Sequence, residues 1–191
     1  VQVTGLTAGI AKISAGSGML GHSCAVTTAG AAWCWGANGD GELGDGSDYS
    51  YSLAPVAVAG LGSGGREIDA GNSHTCAVTT AGAALCWGYN GFGELGTGTV
   101  FPSFEPIGVA GLSSGVTRIS AGLDHSCAAT NGGVRCWGYN GEGQLGNNTT
   151  DNALTPVTAA GLGAGALAVA TGDYHSCAAT ALGAARCWGS N

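Results

Sequence analysis

The strongest constraint on this chain is a motif that occurs four times at a nearly constant spacing. Its copies begin at His22, His74, His125 and His175, and these starts lie 52, 51 and 50 residues apart. A fixed period of this length is typical of stacked supersecondary units, which form either a propeller or a solenoid. Because each unit buries its core against its neighbours, we expect residues 1–191 to form one array.

The repeats also share a glycine-rich connector with the pattern Asn-Gly-x-Gly-x-Leu-Gly, which starts at Asn38, Asn90 and Asn140. The approximate repeats are 1–55, 56–106, 107–156 and 157–191. The last repeat lacks its connector, which is about 16 residues long elsewhere. We therefore expect a piece of a longer tandem array, and a self-contained four-repeat protein is the alternative.

Composition excludes several classes of protein. Glycine accounts for 38 of the 191 residues and charged residues for 9%, which excludes coiled coils and charged disordered tails. The formal net charge is −7, and Lys12 is the single lysine. No basic surface for nucleic acid or anionic membranes can be built from this chain. No apolar stretch approaches the roughly 20 residues of a membrane span. We therefore expect neither nucleic acid nor a membrane span.

Hairpin geometry selects one cysteine pairing out of the 105 that eight cysteines allow. If the two cysteines of a repeat lie opposite each other, three repeats receive a three-residue loop with glycine at its third place, namely Gly30, Gly82 and Gly183. Glycine supplies the left-handed conformation that this place requires. The third repeat is one residue shorter, and its loop becomes Asn131-Gly132, the sequence typical of a type I′ turn.

We therefore predict one cross-strand disulfide in each hairpin: Cys24–Cys34, Cys76–Cys86, Cys127–Cys136 and Cys177–Cys187. Directly opposite residues are close enough for such a bond. Disulfides of this kind persist in oxidising compartments, so we expect an extracellular or cell-surface protein. Buried thiols in a reduced protein are the alternative.

Two places in the sequence offer groups that could bind a metal ion. A His-x-Cys pair with an opposite cysteine could supply zinc ligands, but the Cys-x-x-Cys knuckle is missing. The first connector offers four oxygen ligands for calcium without the EF-hand spacing: Asp40, Glu42, Asp45 and Asp48. We expect an acidic turn there, no metal and no cofactor. The repeat histidines are interpreted as structural hydrogen-bonding residues: His22, His74, His125 and His175.

The blocks His-Ser/Thr-Cys-Ala, Cys-Trp-Gly and Asn-Gly-x-Gly-x-Leu-Gly resemble the regulator of chromosome condensation repeat, in the cysteine-containing form common among secreted bacterial proteins. The resemblance implies an all-β fold of β-propeller blades, each a four-stranded antiparallel sheet. Since such rings usually have seven blades, four repeats imply a partial ring or part of a longer or oligomeric array. The repeat tryptophans are expected to fill the wedge between blades: Trp35, Trp87, Trp137 and Trp188.

No catalytic motif is recognisable, so we expect no enzymatic activity. The sequence contains neither a Gly-x-Ser-x-Gly elbow nor a phosphate-binding loop. Nucleotide exchange and photoreception, which are known within the family, do not fit an acidic chain without a wedge-like insertion or tryptophans before the repeat histidines. The remaining expectation is a protein-binding module.

Residues that differ among the repeats are free to carry that binding function. The connectors differ most, and aromatic side chains are enriched in protein interfaces. The candidate binding surface therefore consists of Met19, Leu20, Tyr49, Tyr51, Val100, Phe101 and Phe104. Alternatively, these side chains cover the local core. The expected function is a secreted, non-catalytic module for protein–protein binding or assembly. A self-assembling filament or surface-layer subunit is one alternative, and an accessory domain of a larger secreted enzyme or adhesin is another.

Overall fold

The computed structural model describes residues 2–17, 21–163 and 165–190, and all regular structure in these residues is β-strand. We call each sheet a blade. Blade 1 contains β1 (Ile10–Ala15), β2 (His22–Thr27), β3 (Ala32–Ala37) and β4 (Tyr51–Ala57). Blade 2 contains β5 (Gly65–Ala70), β6 (His74–Thr79), β7 (Ala84–Gly88) and β8 (Ser103–Gly108). Blade 3 contains β9 (Val116–Ala121), β10 (His125–Thr130), β11 (Gly133–Gly138) and β12 (Ala153–Thr158). Blade 4 contains β13 (Ala166–Thr171), β14 (His175–Thr180) and β15 (Ala185–Gly189).

Every blade is an antiparallel sheet whose strands neighbour one another in chain order. This confirms the expected all-β fold of tandem sheets. Blades 1, 2 and 3 have four strands, and blade 4 has three among the described residues. The fourth repeat ends at the residue that aligns with Asn38, so the sequence contains no counterpart of β4. Within the described part of the chain, no helix could cross a lipid bilayer.

The hairpin between the second and third strand of each blade has the predicted register. Cys24 is paired with Cys34, Cys76 with Cys86, Cys127 with Cys136 and Cys177 with Cys187. All four pairs are disulfide-bonded, with Cα atoms 4.1 Å apart. The predicted left-handed glycines are confirmed, because Gly30, Gly82 and Gly183 have φ values of 83°, 81° and 80°.

The type I′ turn predicted for the third hairpin is wrong. Such a turn needs positive φ at both central residues, and neither Asn131 nor Gly132 has one. The positive φ of 124° falls on Gly133 instead. The Asn131 backbone N–H donates to the Gly115 carbonyl at 3.1 Å, as the equivalent residue does in the other hairpins. What differs in this turn is the Thr130 hydroxyl, which accepts the Gly132 N–H at 3.2 Å and donates to the Gly133 carbonyl at 2.9 Å, so a side chain competes with the local turn preference.

The core consists of one apolar layer between each pair of adjacent blades. The layer between blades 2 and 3 contains Val78, Leu95, Ile119 and Trp137, all buried. Equivalent layers lie between blades 1 and 2 and between blades 3 and 4. Since each layer draws side chains from two blades, a single blade has no complete core of its own.

Candidate binding face

The antiparallel order of the strands divides the loops between two ends of the blades. Because successive strands run in opposite directions, the corner after the first strand and the connector after the third strand leave the sheet at the same end. We call this end the connector face. Its described corners are residues 16–17 with 21, 71–73, 122–124 and 172–174, and its connectors are residues 38–50, 89–102 and 139–152. The hairpin turns and the linkers between blades form the opposite end, the turn face.

A buried asparagine shapes each connector from inside. In the second connector, Asn90 Oδ1 accepts the backbone N–H of Leu95 at 2.9 Å. Its Nδ2 donates to the carbonyls of Thr99 at 3.0 Å and Phe101 at 2.8 Å. Asn140 accepts equivalently from the Leu145 N–H, also at 2.9 Å. One amide thus ties the beginning of the connector to its end, so the exposed segment is held in place.

Each connector also docks on the following blade. The Glu94 carbonyl accepts the indole N–H of Trp137 at 2.6 Å and the hydroxyl of Ser126 at 2.9 Å. A Cβ atom at Gly96 would lie 2.9 Å from the Trp137 ring, so only glycine allows this approach. The same contacts recur one repeat earlier and one repeat later, through the carbonyls of Glu42 and Gln144. The connectors are therefore rigid platforms.

The repeat histidines extend this contact. His74 Nε2 lies 2.8 Å from the Ser126 hydroxyl, whose single proton goes to the Glu94 carbonyl, so the histidine is the donor. His22 and His125 contact Thr75 and Ser176 in the same way, at 2.7 and 2.8 Å. The Nδ1 atoms of His22, His74 and His125 are buried without a partner in the described structure. Burial accordingly lowers the pKa of these residues to about 4, 3 and 4.

The repeat tryptophan of blade 1 and the repeat tryptophan and histidine of blade 4 are more exposed than their equivalents in the inner blades. Trp87 and Trp137 are fully buried between blades, whereas Trp35 and Trp188 are partly exposed. His175 is partly exposed, in contrast to the three preceding histidines. Trp35 lies on the side of blade 1 turned away from blade 2, and His175 on the side of blade 4 turned away from blade 3.

The predicted binding residues lie mostly at the connector tips. Tyr49, Phe101 and Val100 are 73%, 75% and 46% exposed on the connector face. Tyr51 and Phe104 belong to the outer strands β4 and β8 and are 63% and 36% exposed. The first connector contacts the outer strand of blade 2, because the Gly46 N–H donates to the Phe104 carbonyl at 3.0 Å. Met19 and Leu20 lie outside the described residues.

A second group of aromatic residues on the connector face was not singled out from the sequence. The Phe92 and Tyr139 rings have centroids 5.2 Å apart, and the Tyr139 and Tyr174 rings 6.4 Å apart. We call these three residues the aromatic row. They come from two connectors and a corner, so no single motif contains them. The one feature that they share is that each lies in a segment joining two strands at the connector face.

Charge is distributed unequally between the two ends of the blades. The connector face contains nine of the 12 carboxylates: Asp40, Glu42, Asp45, Asp48, Glu94, Asp124, Glu142, Asp151 and Asp173. Among the residues that the structure describes, its corners and connectors contain no lysine or arginine, and the turn face contains no charged residue of either sign. The five basic residues all lie within strands: Lys12, Arg66, Arg118, Arg135 and Arg186.

The calcium candidates are held by hydrogen bonds within the first connector. Glu42 Oε2 accepts the Asp40 N–H at 2.9 Å, and Asp45 Oδ1 accepts the backbone N–H and hydroxyl of Ser47 at 3.0 and 2.7 Å. Asp48 is exposed at the connector tip. Across the described ranges, no three His, Cys, Asp or Glu side chains are grouped so as to hold a metal ion.

Comparison with known sequences places these features in a family. The model of the regulator of chromosome condensation (RCC1) repeat matches residues 29–78, 81–129 and 131–179. The human protein described as probable E3 ubiquitin-protein ligase HERC4 is 35% identical over 111 residues, which are 57% of this chain and 10% of that protein. The mitochondrial RCC1 domain-containing protein RUG3 of Arabidopsis thaliana is 33% identical over 132 residues, 68% of this chain and 29% of that protein.

Solved structures show the same fold. Human WBSCR16 superposes with a TM-score of 0.78 at 22% identity, over 94% of this chain and 49% of that chain. Prp20p of Saccharomyces cerevisiae gives 0.77 at 24% identity, over 95% of this chain and 44% of that chain. The chain thus spans about half the length of these two propellers. It spans between a tenth and a third of the two curated relatives.

Proposed function

Because the chain belongs to the regulator of chromosome condensation (RCC1) repeat family, we propose that it is a protein-binding module without catalytic activity, acting outside the cell or at its surface. The binding site in this proposal is the connector face. Tyr49 and Phe101, which occupy the same place in the first and second connectors, are the central contact residues.

The exposure of these two aromatic rings on rigid connectors is the observation that carries the proposal. Large aromatic side chains that are 73% and 75% exposed contribute nothing to the core of this chain. Aromatic residues on pre-organised backbone bind with a small loss of conformational entropy and are enriched at binding hot spots. The buried amide of Asn90 supplies that pre-organisation, because it accepts and donates hydrogen bonds at both ends of the connector.

Related structures and the disulfides support this assignment. Yeast RCC1 (Prp20) has been crystallised bound to Kap60, and another Prp20p structure is described with its binding to Gsp1p and histones. Such propellers therefore bind protein partners. The four disulfides, three of which are buried, are compatible with an oxidising compartment. Intact mass of native material treated with an alkylating agent tests the compartment: an unmodified mass supports it, and eight alkylated thiols contradict it.

The binding assignment is tested by capture of secreted proteins from the source organism on the immobilised, disulfide-intact chain. The variant Tyr49→Ser/Phe101→Ser is compared with Thr150→Ala, which changes an exposed residue of the third connector. We expect a partner retained by the wild type and the control, and weakened about tenfold or more by the aromatic variant. Equal capture by all three proteins, or capture by none, would contradict the proposal.

Association with a second copy is the other candidate, and the outward side of blade 4 favours it. Leu167 is 59% exposed there, and an apolar groove of about 230 Å³ is lined by residues that include Ala168, Cys177 and Ala179. Light scattering over a range of concentrations separates the two functions. Mass that grows with concentration supports self-assembly, and a constant monomer mass excludes it. An accessory role within a larger secreted enzyme or adhesin is compatible with the same binding face.

A further inference from the structure

The connector face carries negative charge that no ion pair in the described structure compensates. Both ion pairs of the described residues are formed by Glu67 of β5, with Lys12 at 4.0 Å and with Arg118 at 3.3 Å. Arg66 instead donates to the carbonyls of Val116 and Thr117. Each of these cations belongs to a strand, and no described lysine or arginine pairs with a carboxylate of the corners or connectors.

Mutual repulsion is visible around Asp124. Burial raises the pKa of the Asp124 carboxyl, and Asp173 in the next corner raises it further. Glu94, beneath the same region, is fully buried, and its Oε1 atom has no hydrogen-bond partner in the described structure. Burial raises the pKa of Glu94 to about 7, and Asp124 contributes to the rise. An orphaned carboxylate oxygen and two crowded acids are costly unless a cation comes close.

The aromatic row lies among these acids. The Tyr139 N–H donates to the Asp124 carbonyl at 2.8 Å, which fixes the tyrosine next to that corner. Tyr174 follows Asp173 directly and is 43% exposed. An ammonium or guanidinium group over the face of such a ring is attracted by its quadrupole, in addition to its attraction by carboxylates. Carboxylates beside partly exposed tyrosines are therefore suited to lysine and arginine side chains.

We propose that the partner of the connector face presents a basic segment, rich in lysine or arginine, that binds across Asp124, Asp173 and the aromatic row. This inference rests on the proposed function, since it names the partner chemistry for the same face. The nearly cation-free surface around the site attracts such a segment from a distance and lowers the affinity for acidic partners. A metal ion is a weaker candidate, because the described carboxylates form no three-ligand group.

The test uses a fluorescently labelled decalysine peptide, with a decaglutamate and a Gly-Ser peptide of the same length as references. Binding to the full disulfide-intact chain is measured by fluorescence anisotropy at about 0.05 M and about 0.15 M salt, because screening distinguishes charge-driven binding. We expect decalysine alone to bind, more weakly at the higher salt concentration.

A matched pair of variants locates the site. Asp173→Asn and Glu105→Gln each remove one exposed carboxylate, the first on the connector face and the second in β8. We expect the affinity for decalysine to fall about threefold in Asp173→Asn, about tenfold in Asp124→Asn/Asp173→Asn, and not at all in Glu105→Gln. Tyr174→Leu, which leaves the charge unchanged, is expected to lose about twofold to fivefold. Thermal unfolding of each variant verifies that the fold is retained.

Three results would overturn the inference. Decalysine could bind no better than the Gly-Ser peptide, or Asp173→Asn and Glu105→Gln could lose affinity equally. Calcium alone could bind and displace the peptide, which would make the face a cation site. The captured partner separates failure of this inference from failure of the proposed function. If that partner is lost by Tyr49→Ser/Phe101→Ser but held by Asp124→Asn/Asp173→Asn, the binding module stands and the basic partner is wrong.

Discussion

The two halves of a single connector differ in how much they vary among the repeats and in how deeply their side chains are buried. In the second connector, Asn90–Gly96 repeats the pattern of its neighbours and contains side chains buried against blade 3. The following segment, 97–102, shares almost nothing with residues 45–50 or 147–152 and is mostly exposed. The boundary between the halves is Gly96, which packs against the Trp137 ring.

This difference shows which contacts keep a position constant. Residues whose side chains touch the next blade are the same or chemically similar in every repeat, because that contact is remade at each interface. Beyond Gly96 the contact is a backbone hydrogen bond, from the Gly98 N–H to the Leu154 carbonyl at 2.8 Å, and the side chains there are mostly exposed and can differ at little cost to the array. The variable half is therefore where a partner can be recognised, and the constant half is where stability can be lost.

Acidification is expected to have the largest effect, because it acts on the constant contact at three interfaces together. The pKa of the buried His22, His74 and His125 is about 4, 3 and 4 in the folded chain and 6.5 when exposed. Since the folded pKa is the lower one, the unfolded chain takes up protons first as the pH falls. The contribution of these buried neutral histidines to the free energy of unfolding is fully present above about pH 6.5 and is lost as the pH falls towards about 4. Between pH 7 and pH 5 we expect a loss of about 2 kcal/mol for each histidine.

Urea unfolding at pH 7 and at pH 5 measures this loss. The variant His125→Gln is expected to show a smaller pH dependence than the wild type by about one histidine's share. An unfolding free energy that is the same at both pH values would contradict the buried, neutral state of these residues.

Truncation of the tryptophan that receives the connector is expected to be the next largest effect. Trp137→Ala removes a fully buried ring and the hydrogen bond to the Glu94 carbonyl, at a cost of about 3–5 kcal/mol. Phe101→Ala, in the variable half of the docked connector, should change the free energy of unfolding by less than about 0.5 kcal/mol. Urea denaturation of both variants checks the contrast, and similar losses would show that the two halves are not distinct.

Removal of one disulfide tests stability within a blade. The double variant Cys76→Ala/Cys86→Ala opens a loop with a sequence separation of 10 residues. We expect a loss of about 2 kcal/mol, because the hairpin already restrains much of the unfolded loop. Thermal unfolding in the absence of reductant gives the value. No loss at all would mean that the hairpin by itself supplies the restraint.

The smallest expected effect concerns the buried carboxyl of Glu94. Its folded pKa of about 7 lies above the ordinary 4.5, so ionisation destabilises the fold above about pH 7, and this cost disappears as the pH falls to about 4.5. Glu94→Gln, which copies Gln144 of the next repeat, should raise the free energy of unfolding at pH 8 by about 1–2 kcal/mol and change little at pH 5. The exposed Glu142→Gln serves as control. Destabilisation by Glu94→Gln at pH 8 would contradict the burial cost.

Much of the local fold could be predicted from repetition. Spacing placed Cys76 opposite Cys86, and the three-residue loop required a left-handed glycine at Gly82. The turn at Asn131-Gly132 was predicted wrongly, because the Thr130 hydroxyl forms hydrogen bonds with Gly132 and Gly133 that the two-residue turn pattern does not include. Variation among the repeats also predicted the aromatic residues at the connector tips, which are exposed in the structure.

The aromatic row and the acidic face were missed for a different reason. Phe92, Tyr139 and Tyr174 are far apart in the chain and lie in two connectors and a corner. They meet only because antiparallel strands return corners and connectors to the same end of neighbouring blades. A count of charges by strand end, rather than by motif, would have found the excess of carboxylates.

The sequence by itself determined the number of repeats, the strand pairing of each hairpin and the four sulfur pairs, because these depend on residues a few positions apart. Only the tertiary structure decided which buried groups share an interface. His74 meets Ser126 and Glu94 meets Trp137 across neighbouring blades, and the loops of three blades combine into one acidic, aromatic surface. Such contacts depend on how one sheet packs on the next, and no local pattern of residues records that arrangement.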